Sequence, residues 1–143
     1  MMNCPVTFIT AAAGFAADRA LKIAASRKTG KRTFLKDKVT IGKTTNKGFA
    51  MNKCEGRRGL VIAVSIVAFL AVVFLFGIAL KDEESRSKRP GAALLIAGAL
   101  GNVYDRLRHG FVIDYISVAP LKRIFFNLAD VMIAIGALLY LVL

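Results

Sequence analysis

The sequence predicts an all-α membrane protein, with four transmembrane helices and a small β-like loop region after the first helix. Three observations carry this reading. The 143 residues are 56% hydrophobic with a mean hydropathy of +0.57, more apolar than an ordinary soluble domain. The formal net charge is +12, yet the charges fall in blocks, so that basic stretches alternate with long uncharged runs. A span takes roughly 20 residues, which leaves room for about four of them. A chain this basic also raises the question of nucleic-acid binding. Its basic stretches lack interleaved aromatics and hold no recognisable binding module, so no nucleic-acid partner is expected.

The first helix is assigned to residues 6–25. Its apolar run starts at once, has no basic segment ahead of it and meets Asp18-Arg19, a pattern that fits a retained helix better than a cleaved leader. It reaches spanning length if the Asp-Arg pair lies at the bilayer boundary or in a polar bundle interior. Residues 26–59 form a basic loop in which Val39-Thr40-Ile41 before Gly42 reads as a strand and turn. The second span, 60–80, is uncharged throughout and long enough at 1.5 Å per residue to cross about 30 Å of hydrocarbon. Arg57, Arg58 and Lys81 flank it as snorkelling anchors. Residues 81–90 mix both charge signs and read as a short loop. The third span, 91–108, follows Pro90 and meets Asp105-Arg106 much as the first meets Asp18-Arg19. The fourth, 124–143, carries Asn127 and Asp130 near its start. Residues 1–143 are thus read as one membrane-embedded domain. Cys4 and Cys54 lie far apart with no thiol or histidine at ligand spacing, so both are read as unpaired.

The chemistry concentrates in the C-terminal third. On a helix, Asn102, Asp105 and Arg106 fall at i, i+3 and i+4 and share one face; Asn127 and Asp130 are likewise i, i+3. Between these pairs, after His109-Gly110, Asp114 is the single acid in the run Phe111-Val112-Ile113-Asp114-Tyr115-Ile116. A carboxylate in a span costs about 2.5–3.5 kcal/mol on insertion scales, so Asp130 needs a partner or a wet cavity. Two close carboxylates cannot both ionise cheaply. One keeps a proton while the other stays a base, and together they can activate water and protonate a leaving group. Spacing alone leaves Asp105 and Asp114 as rivals for the second place. A structural role for Asp105, paired with Arg106 or a neighbouring cation, competes with the catalytic one.

The ordered blocks Gly101-Asn102-Val103-Tyr104-Asp105-Arg106-Leu107, His109-Gly110-Phe111-Val112-Ile113-Asp114-Tyr115-Ile116 and Phe126-Asn127-Leu128-Ala129-Asp130 resemble signal peptidase II, the lipoprotein signal peptidase family. Asp18-Arg19-Ala20-Leu21-Lys22 is similar to that family's Asp-Gln-x-x-Lys element, and Asn46-Lys47-Gly48-Phe49-Ala50-Met51 to its Asn-x-Gly-Ala-Ala-Phe element. The resemblance implies a four-helix aspartyl endopeptidase of the bacterial cytoplasmic membrane. Such an enzyme removes the signal peptide from prolipoproteins by cutting just before the cysteine that carries a diacylglyceryl group. Carried over by position, it makes Asp114 and Asp130 the catalytic pair and Asp105 a partner of Arg106. Asn102, Arg106, Asn127 and Ala129 support the pair, and Asp18, Asn46 and Gly48 lie near the substrate. No cofactor or metal is implied. The partners are diacylglyceryl-modified prolipoproteins and membrane lipids, and a monomer is the working expectation. The chain departs from the pattern at Ser117, where the family commonly has Asp or Asn, at Phe49 and Met51, and in the shorter loop 117–125.

Charge and resemblance disagree on topology. The family places the first loop outside the cytoplasm, whereas eleven cations between Arg27 and Arg58 would be cytoplasmic by the positive-inside rule. The resemblance is followed, and the cationic loop is expected to lie on anionic headgroups. A transporter-like or structural four-span protein is the competing class. Transporter acids tend to sit near mid-span, whereas these gather at one end of the third and fourth segments. A metal site of Asp114, Asp130 and His109 is too unspecific to favour.

Overall fold

A computed structural model describes residues 3–28, 30–36, 38–48, 54, 56–81, 83–119, 121 and 124–143. The motif residues Phe49, Ala50 and Met51 lie outside the described residues.

Four helices carry the fold. The first, α1, spans Cys4–Ser26. Its Asn3 side chain caps the start by accepting from Val6 N at 3.1 Å, and Pro5 sits in the first turn, where its missing N–H costs nothing. The second, α2, spans Arg58–Lys81. It touches the rest of the protein along one seam, where Phe76 and Ala79 pack on Ala92 of the next helix. Val67, Leu70 and Phe74 on its outer side are 59–69% exposed. The third, α3, spans Arg89–His109, and the fourth, α4, spans Leu128–Val142.

Among the described residues, only α2 is both long and apolar enough to cross a membrane by length and composition, with a mean hydropathy of 3.0 in its best window. The apolar α4 has 15 helical residues. The other two helices are long but include charged residues, among them the buried Asp18, Lys22, Arg89 and Asp105, and these lower their average.

The segment expected to be a loop, 81–90, is instead wound. A 3-10 helix, Glu84–Lys88, leads directly into α3. The reason lies in Arg89, which is 1% exposed. Its Nε donates to the carbonyl of Ala79 at 2.8 Å and its Nη2 to that of Leu80 at 3.1 Å. These are carbonyls at the C-terminus of α2, which lack partners in their own helix and attract a cation.

The β region is larger than the sequence suggested. Strands β1 (Arg32–Phe34), β2 (Val39–Asn46) and β3 (Val112–Val118) form one antiparallel sheet in the order β1-β2-β3. The expected turn at Gly42 is absent. The strand runs on to Asn46 and absorbs an irregularity between Ile41 and Thr44. The third strand comes from beyond α3, so the sheet is not confined to the loop after the first helix. Its register sets Thr44 opposite Asp114 and Asn46 opposite Val112. Between α3 and β3, Gly110 takes φ 81°, the left-handed cap that a glycine accepts without penalty.

The fourth helix starts later than its apolar run. The expected span began at residue 124, but Phe126 exchanges backbone hydrogen bonds of 3.0 and 2.8 Å with Ile116 of β3. Asn127 is extended at φ −130°, ψ 179° and caps α4 rather than belonging to it.

Helix α3 packs most intimately on α4, and small residues permit the approach. A Cβ placed on Gly98 would lie 2.4 Å from the carbonyl oxygen of Ala129, and one on Gly91 would lie 2.6 Å from the amide of Tyr140. Both neighbours are backbone and cannot rotate aside. Gly98→Ala is therefore expected to destabilise the protein by about 1–3 kcal/mol, as overpacking does. It should also lower activity, because the first turn of α4 must move. Thermal unfolding in detergent reads this; an unchanged midpoint would refute the close crossing.

Candidate active site

The site is built outward from a buried lysine. On α1, Asp18 and Lys22 are i, i+4 and face inward, both 0% exposed. An ammonium has three N–H donors. Here Lys22 Nζ meets three acceptors: Asp18 Oδ2 at 2.9 Å, Asp105 Oδ2 at 3.0 Å and Asn102 Oδ1 at 3.1 Å. With its oxygen held by Lys22, Asn102 turns its amide nitrogen toward Asp130, donating to Oδ1 at 2.8 Å.

Asp105 is not the partner of Arg106. It is fully buried and pairs with Arg19 and Lys22 of α1, while also accepting from Ile113 N at 3.3 Å. Adjacent helical residues point about 100° apart, so Asp105 and Arg106 diverge. Arg106 instead donates from Nη2 to the carbonyl of Gly48 at 3.1 Å, tying the end of β2 to α3. His109 Nδ1 lies 3.8 Å from Asp105 Oδ1 and the ring stacks on Phe111.

Three amides at the start of α4, which have no partner within the helix, are each met by a side chain. Leu128 N donates to the Tyr115 hydroxyl at 3.1 Å, Ala129 N to Asp18 Oδ1 at 3.0 Å and Asp130 N to Asn127 Oδ1 at 3.0 Å. Asp130 returns the bond by accepting Asn127 N on Oδ2 at 3.1 Å, which completes a capping box. Asn127 is 0% exposed and donates from Nδ2 to Asp114 Oδ1 at 2.7 Å. One asparagine therefore contacts both carboxylates, which come from a strand and from a helix N-terminus.

Asp114 and Asp130 line a cavity of about 380 Å³ together with Asn46, Asn102 and Arg106, and apolar residues including Phe125 and Ile133 form the rest of its wall. Arg106 Nε is buried without a hydrogen-bond partner among the described residues. Burial pushes the Asp114 carboxyl up to about 6, with the charge of Asp130 adding to the rise and hydrogen bonds from Asn127 and Asn46 opposing it. Both oxygens of Asp130 accept N–H groups, one from Asn102 of α3 and one from the Asn127 backbone at the start of α4.

The residues singled out in sequence thus divide by position. Asn46, Asn102, Arg106, Asp114 and Asp130 meet at the cavity. Asn127 and Ala129 are buried behind it. Asp18 and Asp105 do not line it; they hold Lys22 and the start of α4. Gly48 reaches the site through its backbone, its carbonyl accepting from Arg106 and its amide donating to Asn46 Oδ1 at 3.1 Å. Lys22, Arg19 and Tyr115 were not among the residues expected to support the site. The i, i+4 spacing of Asp18 and Lys22 was the available signal for the first of them. Cys4 and Cys54 are free. Among the described residues, no group of three or more His, Cys, Asp or Glu side chains converges to hold a metal.

The family model for signal peptidase (SPase) II matches residues 10–143. The lipoprotein signal peptidase of Halothermothrix orenii is 37% identical over 109 residues, 73% of this chain and 69% of its own. That of Clostridium novyi is 30% identical over 99 residues, 66% of this chain and 64% of its own. That of Neisseria meningitidis serogroup B is 42% identical over 82 residues, 56% of this chain and 47% of its own. The chain therefore spans about half to two thirds of the length of these relatives. Two solved structures of bacterial membrane enzymes share the fold. One is 26% identical with a TM-score of 0.80, covering 99% of this chain and 91% of the other. The second is 23% identical with a TM-score of 0.81, covering 97% and 92%.

Proposed function

The chain belongs to the signal peptidase II family, a class of aspartic-type membrane proteases, and from that premise we propose that Asp114 and Asp130 are its catalytic pair. The substrate is a diacylglyceryl-modified prolipoprotein, cut on the N-terminal side of the modified cysteine. The observation that carries this is the bridge through Asn127, which contacts both carboxylates at the edge of one cavity. In this reading all four helices span the bacterial cytoplasmic membrane. The exposed apolar faces of α1 (Phe8, Ile9), α2 (Val67, Phe74) and α4 (Leu138, Leu141) support it.

Roles follow from the environments of the two acids. Asp130, with N–H donors on both oxygens, takes a proton from water. The resulting hydroxide adds to the scissile carbonyl carbon. Asp114, raised by burial, holds the proton that passes to the leaving amine as the C–N bond breaks. Arg106 supplies a cation and spare N–H at the cavity wall for a substrate carbonyl. The apolar wall takes side chains on the signal-peptide side of the bond.

The test is cleavage of a diacylglyceryl-modified prolipoprotein by the purified protein in detergent, beside the same precursor without lipid. Cleavage of the modified form alone is expected. Equal cutting of both, or of neither, would sink the substrate assignment.

A pH dependence follows. A carboxyl raised from 3.8 to about 6 binds its proton more tightly in the folded protein than in the unfolded chain. Asp114 therefore contributes stability below about pH 4, and this is lost as pH rises through about 6. If it is the acid, kcat/KM should fall on the alkaline side with an apparent midpoint near 6, a value that belongs to the coupled pair. A flat profile from pH 5 to 8 would assign the proton elsewhere.

A further inference from the structure

A second concavity, of about 320 Å³, lies at the end of α1 against the β1–β2 hairpin and shares no lining residue with the catalytic cavity. Four cations border it: Arg27 and Lys28 just past α1, Arg32 on β1 and Lys43 on β2. None of them is paired with a carboxylate among the described residues. Phe34 and Ile41 supply its apolar lining. The register pairs Arg32 with Ile41, so cation and apolar side chain share one face of the sheet. Lys31 packs elsewhere, with its stem over Gly42 and its Nζ 4.6 Å from the centre of the Phe125 ring.

Position in the membrane decides what such a pocket would take. Leu21 and Ile23 on α1 are 45% and 47% exposed, so exposed apolar side chains reach to within one helical turn, about 6 Å, of Arg27. The cations therefore begin where exposed hydrocarbon ends, at headgroup level. The hairpin tip shows the same pairing: Phe34 and Leu35 are 47% and 73% exposed beside Lys36. We propose that this pocket binds the phosphate of an anionic glycerophospholipid of the phosphatidylglycerol type, with the glycerol and upper acyl carbons against Phe34 and Ile41. Cations near an anionic lipid surface each strengthen binding roughly fivefold. A phosphate gathered by several of them gains charge-assisted hydrogen bonds as well. The site explains how a loop with eleven cations serves on the side that the positive-inside rule disfavours, since lipid phosphates neutralise it.

The experiment reads binding and not cleavage, so it stands or falls apart from the peptidase assignment. Purified protein in zwitterionic detergent is titrated with phosphatidylglycerol, phosphatidylcholine or inorganic phosphate, and retained molecules are counted by native mass spectrometry. At least tenfold preference for phosphatidylglycerol over phosphatidylcholine is expected. The combined Lys28→Gln, Arg32→Gln, Lys43→Gln variant should lose it while keeping its unfolding midpoint. A charge-keeping counterpart (Lys28→Arg, Arg32→Lys, Lys43→Arg) should retain it, as should Lys81→Gln with Arg86→Gln at the other end of α2. Equal retention of the two lipids overturns the proposal. So does undiminished preference in the neutralised variant, equal loss in the distant one, or binding of inorganic phosphate without lipid preference.

Discussion

The Asp114→Asn variant is expected to fold normally and to lose cleavage by about 10²–10⁴-fold, the range for removing a positioned acid or base. Asparagine keeps an oxygen where Asn127 Nδ2 donates at 2.7 Å, so the tie from β3 to the start of α4 survives while the transferable proton goes. Asp130→Asn should be equally inactive but less stable. Both oxygens of Asp130 accept N–H groups, from Asn102 and from Asn127. An amide there must point its own donors at one of these, leaving a clash or an orphaned donor worth about 1–3 kcal/mol. Asp105→Asn is the control that separates the rivals. It removes a charge from a buried pair without touching the cavity, so partial activity and reduced stability are expected. Comparing kcat for the three variants with their unfolding midpoints checks this. Full activity in Asp114→Asn, or a dead but stable Asp105→Asn, would reverse the assignment.

How far the sequence could show this site depends on the residue. The α2 span was plain because 60–80 is uncharged and uniformly apolar, and no tertiary partner is needed to explain it. Asp130 was plain because an acid in an apolar run demands an account. The start of α4 was misplaced because Ile124-Phe125-Phe126 is as apolar as the helix that follows. Hydrophobicity cannot tell a residue bridged to a strand from one in a helix. The better signal was Asn127 with Asp130 three residues on, a capping pattern that places the boundary between them. The partners of Asp105 could not be read locally. Arg19 lies 86 positions away, and the adjacent Arg106 was the obvious but divergent choice. Asp114 was preferred over Asp105 mainly by resemblance. In the fold the difference is physical: β3 carries Asp114 to Asn127, while Asp105 faces back into α1. The strand was itself foreshadowed by β-branched and aromatic residues across 112–118, but its partner strand, β2, lies far upstream in the basic loop.

Lys22 gives the second large effect, and its sign can be checked twice. Lys22→Met keeps the length of the side chain and removes the charge on which Asp18, Asp105 and Asn102 converge. Breaking a buried pair from one side leaves uncompensated charge and costs about 3–5 kcal/mol, which should lower the unfolding midpoint by about 10 °C or more in a chain of this size. The damage should reach the chemistry as well. Asn102 loses the shorter of the two bonds that hold its oxygen, keeping only the one from Asn127 Nδ2 at 3.3 Å. It then flips more readily, Asp130 trades an N–H for an oxygen in the flipped form, and kcat falls in the protein that remains folded. If orphaned acids are the cause, adding Asp105→Asn to Lys22→Met should restore part of the lost stability, although Asp105→Asn alone is destabilising. That reversal of sign is the test. Simple additivity of the two losses would mean that Lys22 stabilises by filling space, and that the chain of contacts from α1 through Asn102 does not position Asp130, the proposed base.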